Sequence, residues 1–197
     1  AMRDKPEQSV GSREADLSDT RLFRQFNRFV LPSDADGAPT WNNLLADLRE
    51  TMLRARPDVI VLPHPTLDPH PDHICAQQAV LEVLGGLDWQ PTLLGYANHL
   101  HDNDRWPMGN SGDGVALPPA FDAGVPVQPV CLTLSVDQQR DKAMALGMMH
   151  DLQPPAPFKR RLRRSLQRLL AGRAGSPYGE NEFFRKAVRR HELFWRL

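Results

Sequence analysis

The feature that most constrains the fold is a short apolar run without alternation, from Val59 to Leu62. A strand with one solvent face alternates apolar and polar side chains, whereas a strand covered on both faces reads as a continuous β-branched run. This run therefore predicts a buried strand of a parallel sheet. A proline-rich loop follows it, and Pro71 is suited to the first turn of a helix that ends at Gly85 and Gly86.

The rest of the chain predicts further elements of an α/β fold. Thr40 is a suitable N-cap for a helix over Trp41 to Ala55, because apolar side chains recur there at helical spacing. We also predict strands at Phe26–Leu31, Thr92–Tyr96 and Pro126–Leu134, and helices at Asp16–Gln25, after Ser135, over Lys159–Leu170 and around Val188–Trp195. At 197 residues, the chain has the length of one domain with its own core, and we predict a single domain over residues 1–197.

A dense polar cluster follows the Val59–Leu62 strand. Within ten residues it contains three histidines and two aspartates, namely His64, Asp68, His70, Asp72 and His73. In open α/β sheets, ligands bind outside the carboxyl ends of the strands, so these side chains are candidates for a site. Imidazole is the commonest metal ligand, and carboxylates supply hard oxygen. A catalytic zinc site needs three protein ligands and one open position, and a single short motif rarely supplies all three.

The segments Pro57-Asp58-Val59-Ile60 and Asp68-Pro69-His70-Pro71-Asp72-His73 resemble the second metal motif of the PIG-L/LmbE-like zinc-dependent N-deacetylases. This resemblance implies a Rossmann-like three-layer fold with a mostly parallel sheet, and zinc as the cofactor. It implies that His73 is a zinc ligand. It also implies that His70 polarises the amide carbonyl or protonates the leaving amine, and that Asp72 orients His70.

The sequence departs from that family at its first motif. The family carries Ala-His-Pro-Asp-Asp-Glu after its first strand, which supplies a His and an Asp as zinc ligands and a second Asp as general base. No histidine precedes His64 in this sequence, so the motif is absent. We therefore expect either a fragment without the first β-α-β segment or a member that has lost its metal site. The zinc site is expected to be incomplete, and His64, His99 and His101 remain open as substitute ligands.

The function predicted from the resemblance is a zinc-dependent hydrolase that removes an acetyl group from an N-acetylglucosamine-type sugar, glycolipid or glycoconjugate. The alternative is a metal-free, non-catalytic remnant of the same fold that binds a carbohydrate or a partner. Substrate contacts are predicted for Asp68, Asn98, His99 and Trp106. The alternative for Asn98 and His99 is an ordinary surface loop, and Trp106 is equally suited to anchoring a loop to the core.

The C-terminal part of the chain is strongly basic. From Lys159 to Leu197 it contains 12 basic and 3 acidic residues, although the whole chain has no net charge. The predicted helix Lys159–Leu170 combines leucines on one side with arginines on the other. Such a helix can lie on anionic lipid or bind polyanions, and the alternative is a solvated helix whose leucines pack against the protein.

These patterns also predict the partners and the location. We expect an N-acetylated amino sugar or glycolipid as substrate and an anionic membrane surface as a partner of residues Lys159 to Arg173. No base-reading module is visible, so no nucleic acid is expected. Because there is no apolar run near 18 residues and no signal-peptide core, the expected location is the cytoplasm, with peripheral membrane association.

Overall fold

Two parallel strands, with a helix between them in the chain, form one half of a four-stranded sheet. The computed structural model describes residues 2–11, 19–100, 103, 106–118, 128–149, 158, 159, 162, 166, 169, 170 and 182–197. Strand β1 is Val59–Pro63 and β2 is Thr92–Tyr96, and they pair in parallel with Val59 opposite Thr92. Parallel neighbours need a crossover connection, which the helix that precedes β2 supplies. The α/β prediction is therefore confirmed at this level.

Two helices cover one face of these strands. Helix α1 is Trp41–Ala55, and the Thr40 side chain caps it by accepting a hydrogen bond from the Asn43 N–H. Helix α2 is Pro71–Leu84, as the proline at its start and the glycine at its end predict. Their shared core consists of Met52, Val83 and Leu84 with Leu45, Leu48, Ile60, Val80, Leu87, Trp89 and Leu93 packed around them.

The other face of β1 is open. Val59 and Val61 are 49% and 51% exposed, whereas Leu62 on the opposite face is 2% exposed. The prediction that this strand is covered on both faces is therefore wrong for the part of the chain that the structure describes. The reason is that Ile60, and not Val59 or Val61, packs against the core formed by α1 and α2.

The end of the chain is a strand and not the predicted helix. Strand β4 is His191–Arg196, and its residues Trp195 and Arg196 pair antiparallel with Gly95 and Leu94 of β2. The four strands have the order β1-β2-β4-β3, where β3 is Gln128–Thr133. Pairing with β2 buries Trp195 to 1% exposure, and this long-range partner decides the conformation of a segment whose apolar residues fit either structure.

The predicted strand Phe26–Leu31 is also absent. These residues form turns and bends, followed by a 3-10 helix at Pro32–Ala35, and Phe26 and Val30 are 86% and 75% exposed. They have no pairing partner among the strands of the described chain. Of the predicted helix Asp16–Gln25, the described residues form only a 3-10 turn at Arg21–Phe23.

The chain divides into two compact units, residues 1–100 with 195–197 and residues 101–194. The second unit contains β3, helix α3 at Val136–Gly147 and helix α4 at Glu182–Ala187. The helix predicted after Ser135 is confirmed as α3, where the Ser135 side chain is the N-cap and Gln138 completes the capping box. The described residues of 158–170 are helical. The prediction of one domain stays a prediction, and no helix among the described residues has the length and apolarity needed to cross a membrane.

Candidate functional site

A fully buried carboxylate organises the loop that follows β1. Asp68 is 0% exposed, and its Oδ2 accepts hydrogen bonds from the ring Nδ1 of His73 at 2.8 Å and from the Asn98 N–H at 2.8 Å. The His99 N–H reaches the same oxygen at 3.4 Å, and the His70 N–H reaches Oδ1 at 3.3 Å. One side chain thus ties the loop after β1, the start of α2 and the loop after β2 together.

These hydrogen bonds keep Asp68 ionised in its buried position. Burial by itself raises the pKa of the carboxyl group, because it disfavours the charged form. The hydrogen bonds from Asn98, His73 and His70 outweigh burial, so the pKa of Asp68 is held below its ordinary value of 3.8. A buried charge that is fully hydrogen-bonded in this way is rigidly placed.

Three histidine rings lie close together beside Asp68. The ring centroids of His70 and His73 are 4.9 Å apart, those of His70 and His99 are 5.0 Å apart, and those of His73 and His99 are 5.1 Å apart. The Tyr96 ring lies 6.4 Å from that of His73 in an edge-on arrangement. Two histidines that follow β1 and one that follows β2 thus lie together at the carboxyl ends of two neighbouring parallel strands.

Histidines 70 and 73 are fixed in opposite tautomers. The Nδ1 of His73 donates to the Asp68 carboxylate, which leaves Nε2 as its lone-pair nitrogen. The Nδ1 of His70 instead accepts from the Asp72 main-chain N–H at 3.3 Å, so in the neutral ring the proton lies on Nε2. One ring therefore presents an acceptor or metal ligand, and the other presents a donor.

Asp72 and Asp68 have environments that the sequence did not predict. Asp72 is exposed, and its contact with His70 is made by its main-chain N–H. Asp68, which the sequence assigns to substrate contact, is instead enclosed and supports the histidines. Asn98 and His99 have exposed side chains and are held in place through their main-chain N–H groups, so their side chains remain accessible to a ligand.

His64 is buried near the cluster and serves the loop itself. Its Nδ1 accepts from the N–H groups of Thr66 at 3.2 Å and Leu67 at 3.1 Å. Its ring meets the Trp195 ring edge-on, with centroids 6.1 Å apart. Burial lowers the pKa of His64 below its ordinary value of 6.5, so the neutral form that accepts these bonds is favoured.

The described residues do not complete a zinc site. Within them, no group of three or more His, Cys, Asp or Glu side chains is arranged to hold a metal ion. The carboxylate-bound His73 fits the chemistry of one ligand, since ligating histidines commonly donate their second ring N–H to a carboxylate. His101, which the sequence leaves open as a substitute ligand, lies outside the described residues.

The remaining predicted site residue, Trp106, belongs to the second unit. Its indole N–H donates to the Ala116 carbonyl at 2.8 Å, so the polar edge of this ring is used within its own loop. Sequence reasoning missed Tyr96 as a neighbour of His73, although its place at the end of β2 is the signal that indicates it. It also missed the structural role of His64 in the loop.

The chain was compared with family profiles, with curated protein sequences and with solved structures, and no match was found.

Proposed function

We propose that this chain belongs to a zinc-dependent N-deacetylase of the PIG-L/LmbE-like type, acting on an N-acetylglucosamine-type sugar, glycolipid or glycoconjugate. The observation that supports this most is the 2.8 Å bond from His73 to the buried Asp68. A buried carboxylate that orients a histidine is the usual support of a metal ligand. Here it holds the residue that the family resemblance assigns to zinc.

The fold part of the proposal is a Rossmann-like three-layer domain with a mostly parallel sheet. The parallel pairing of β1 and β2 supports it.

The proposed chemistry of this chain's own residues lies in the histidine pair. His70, with its proton on Nε2, donates to the oxygen that becomes negative when the amide is attacked, or to the departing amine. As a hydrogen-bond donor to that oxygen, the neutral ring keeps its Nε2 proton, and the main-chain N–H of Asp72 holds Nδ1 as the acceptor. Protonation of the departing amine requires the imidazolium form of His70, which returns to the neutral ring when the proton is transferred. A bound zinc would polarise the amide carbonyl and activate a water, and His73 is the described residue that would ligate it.

The test is release of acetate from N-acetylglucosamine and from its alkyl glycosides, using the protein in its full encoded length with zinc supplied. We expect His73→Gln and His70→Gln each to lower the rate by about 100-fold or more, in keeping with the loss of a ligand or a general acid. The control is His191→Gln in β4, outside the cluster, which should retain the wild-type rate. Wild-type activity in His73→Gln would overturn the proposal.

The second candidate is a metal-free protein that binds an N-acetylated sugar without hydrolysing it. It is favoured by the lack of a metal-holding group among the described residues, together with the accessible side chains of Asn98 and His99. It predicts that calorimetry with N-acetylglucosamine oligomers in the presence of EDTA gives binding, that Asn98→Ala weakens it about tenfold, and that no acetate is released. Binding that requires zinc would contradict this candidate.

A further inference from the structure

The described residues of the segment 158–170 are helical, and their apolar side chains are exposed. Phe158, Leu162, Leu166, Leu169 and Leu170 are 76%, 52%, 53%, 84% and 87% exposed. These are all the apolar residues of this segment, so none of them contributes to a core in the way that Leu84 in α2 does at 3% exposure. Contiguous exposed apolar side chains of this kind mark interaction surfaces.

The spacing of these five residues places them in a single stripe. Relative to Phe158 they stand at positions 0, 4, 8, 11 and 12, which at 100° per residue fall within an arc of about 120°. On a continuous helix the same spacing would place Lys159 within the apolar arc and would place the arginines of the segment outside it, namely Arg160, Arg161, Arg163, Arg164 and Arg168. From Lys159 to Arg173 the sequence has 7 basic residues and no acidic one.

We propose that residues 158–170 form an amphipathic helix that binds the surface of an anionic membrane. A lipid interface is the partner that uses both halves of this helix, because the apolar stripe enters the acyl boundary while arginines contact anionic head groups. A soluble polyanion would use only the arginines. A second copy of the segment would bring two strongly basic surfaces together, which their repulsion opposes.

The length of the segment decides how it lies on the membrane. Thirteen residues of helix span about 20 Å, which is shorter than the roughly 30 Å hydrocarbon core of a bilayer. The helix therefore lies along the interface and does not cross it. This proposal is independent of the proposed deacetylase function.

The experiment is co-sedimentation with vesicles of phosphatidylcholine alone or with about 30% phosphatidylserine. We expect the wild-type chain to partition into the anionic vesicles at least about tenfold more strongly than into the neutral ones, and to be released by high salt. The double variant Leu169→Gln/Leu170→Gln and the double variant Arg163→Glu/Arg164→Glu should each lower partitioning by about tenfold or more.

The matched control is Leu22→Gln/Leu117→Gln, which removes two leucines that are 69% and 56% exposed elsewhere in the chain. It should sediment like the wild type, and circular dichroism should show all three variants folded. Equal partitioning into both vesicle types would overturn the proposal. Undiminished binding by the leucine variant would also overturn it, because the arginines would then bind a polyanion without the apolar stripe. A dimer that forms without lipid as the protein concentration rises would overturn it as well.

Discussion

The loop after β1 and the segment 158–170 are both rich in residues suited to binding, but their described side chains are held in opposite ways. In the loop, a buried carboxylate accepts hydrogen bonds from two main-chain loops and a histidine ring. In the segment, every apolar side chain is more than half exposed. The difference indicates that the loop is held rigid by folding alone, as a site for a small ligand requires. The apolar side chains of the segment, in contrast, would be buried only when it binds the proposed membrane surface.

The largest expected effect comes from removing the carboxylate that fixes the loop. Asp68→Ala leaves the N–H donors of Asn98, His70 and the His73 ring without their acceptor. We expect the free energy of unfolding to fall by about 3 kcal/mol. A urea titration measures this as a lower midpoint, with an unchanged dependence of the free energy on urea concentration.

The matched control for that change is Asp88→Ala. Asp88 is 74% exposed on its side chain and lies 3.5 Å from Arg56, so its removal should cost less than about 1 kcal/mol. If both variants lose the same free energy of unfolding, Asp68 does not organise the loop, and the loop is not held more firmly than the exposed segment.

The next effect tests the close approach of β2 to the loop. A Cβ atom added at Gly95 would lie 3.0 Å from Cδ2 and 3.3 Å from Cα of His64, so the ring and its backbone must move. We expect Gly95→Ala to destabilise the protein by about 1–3 kcal/mol. At Gly86 the added atom would lie 3.7 Å from the Val83 carbonyl, which is ordinary contact, and a thermal melt of Gly86→Ala should show less than half the loss. Identical melts would contradict this packing.

A smaller effect concerns the protonation of His64. Its pKa is lowered by burial in the folded chain, so the unfolded chain takes up the proton first as the pH falls. The contribution of neutral His64 to the free energy of unfolding is therefore complete above pH 6.5, the ordinary pKa. It declines as the pH falls from there through the lower pKa of the folded chain. Protonation of Nδ1 would also end its acceptance from Thr66 and Leu67. Denaturant titrations between pH 7.5 and 5 should show that the free energy of unfolding declines, and His64→Gln should make this decline smaller. If the free energy of unfolding depends on pH equally strongly in that variant, other groups cause the decline.

The helices and strands that flank the loop can be predicted from local sequence, whereas the burial of Asp68 and the strand β4 depend on residues far away in the chain. The helices α1 and α2 are predictable because Thr40, Pro71 and Gly85 are local signals at their ends, and β1 and β2 are predictable from short apolar runs. The burial of Asp68 is not, because its partner Asn98 is 30 residues away. The same holds for β4, where pairing with β2 and not local periodicity makes Trp195 part of a strand.

The smallest expected effect lies in the exposed segment itself. Leu169→Gln/Leu170→Gln should change the free energy of unfolding by no more than about 0.5 kcal/mol, because these side chains bury little surface in the folded chain. A single core change, Leu84→Ala, should cost about 2–5 kcal/mol in the same denaturant titration, since Leu84 is 3% exposed. A core-like loss in the double variant would mean that the leucines pack against the protein, and a surface that the protein already covers has no apolar stripe to offer to a membrane.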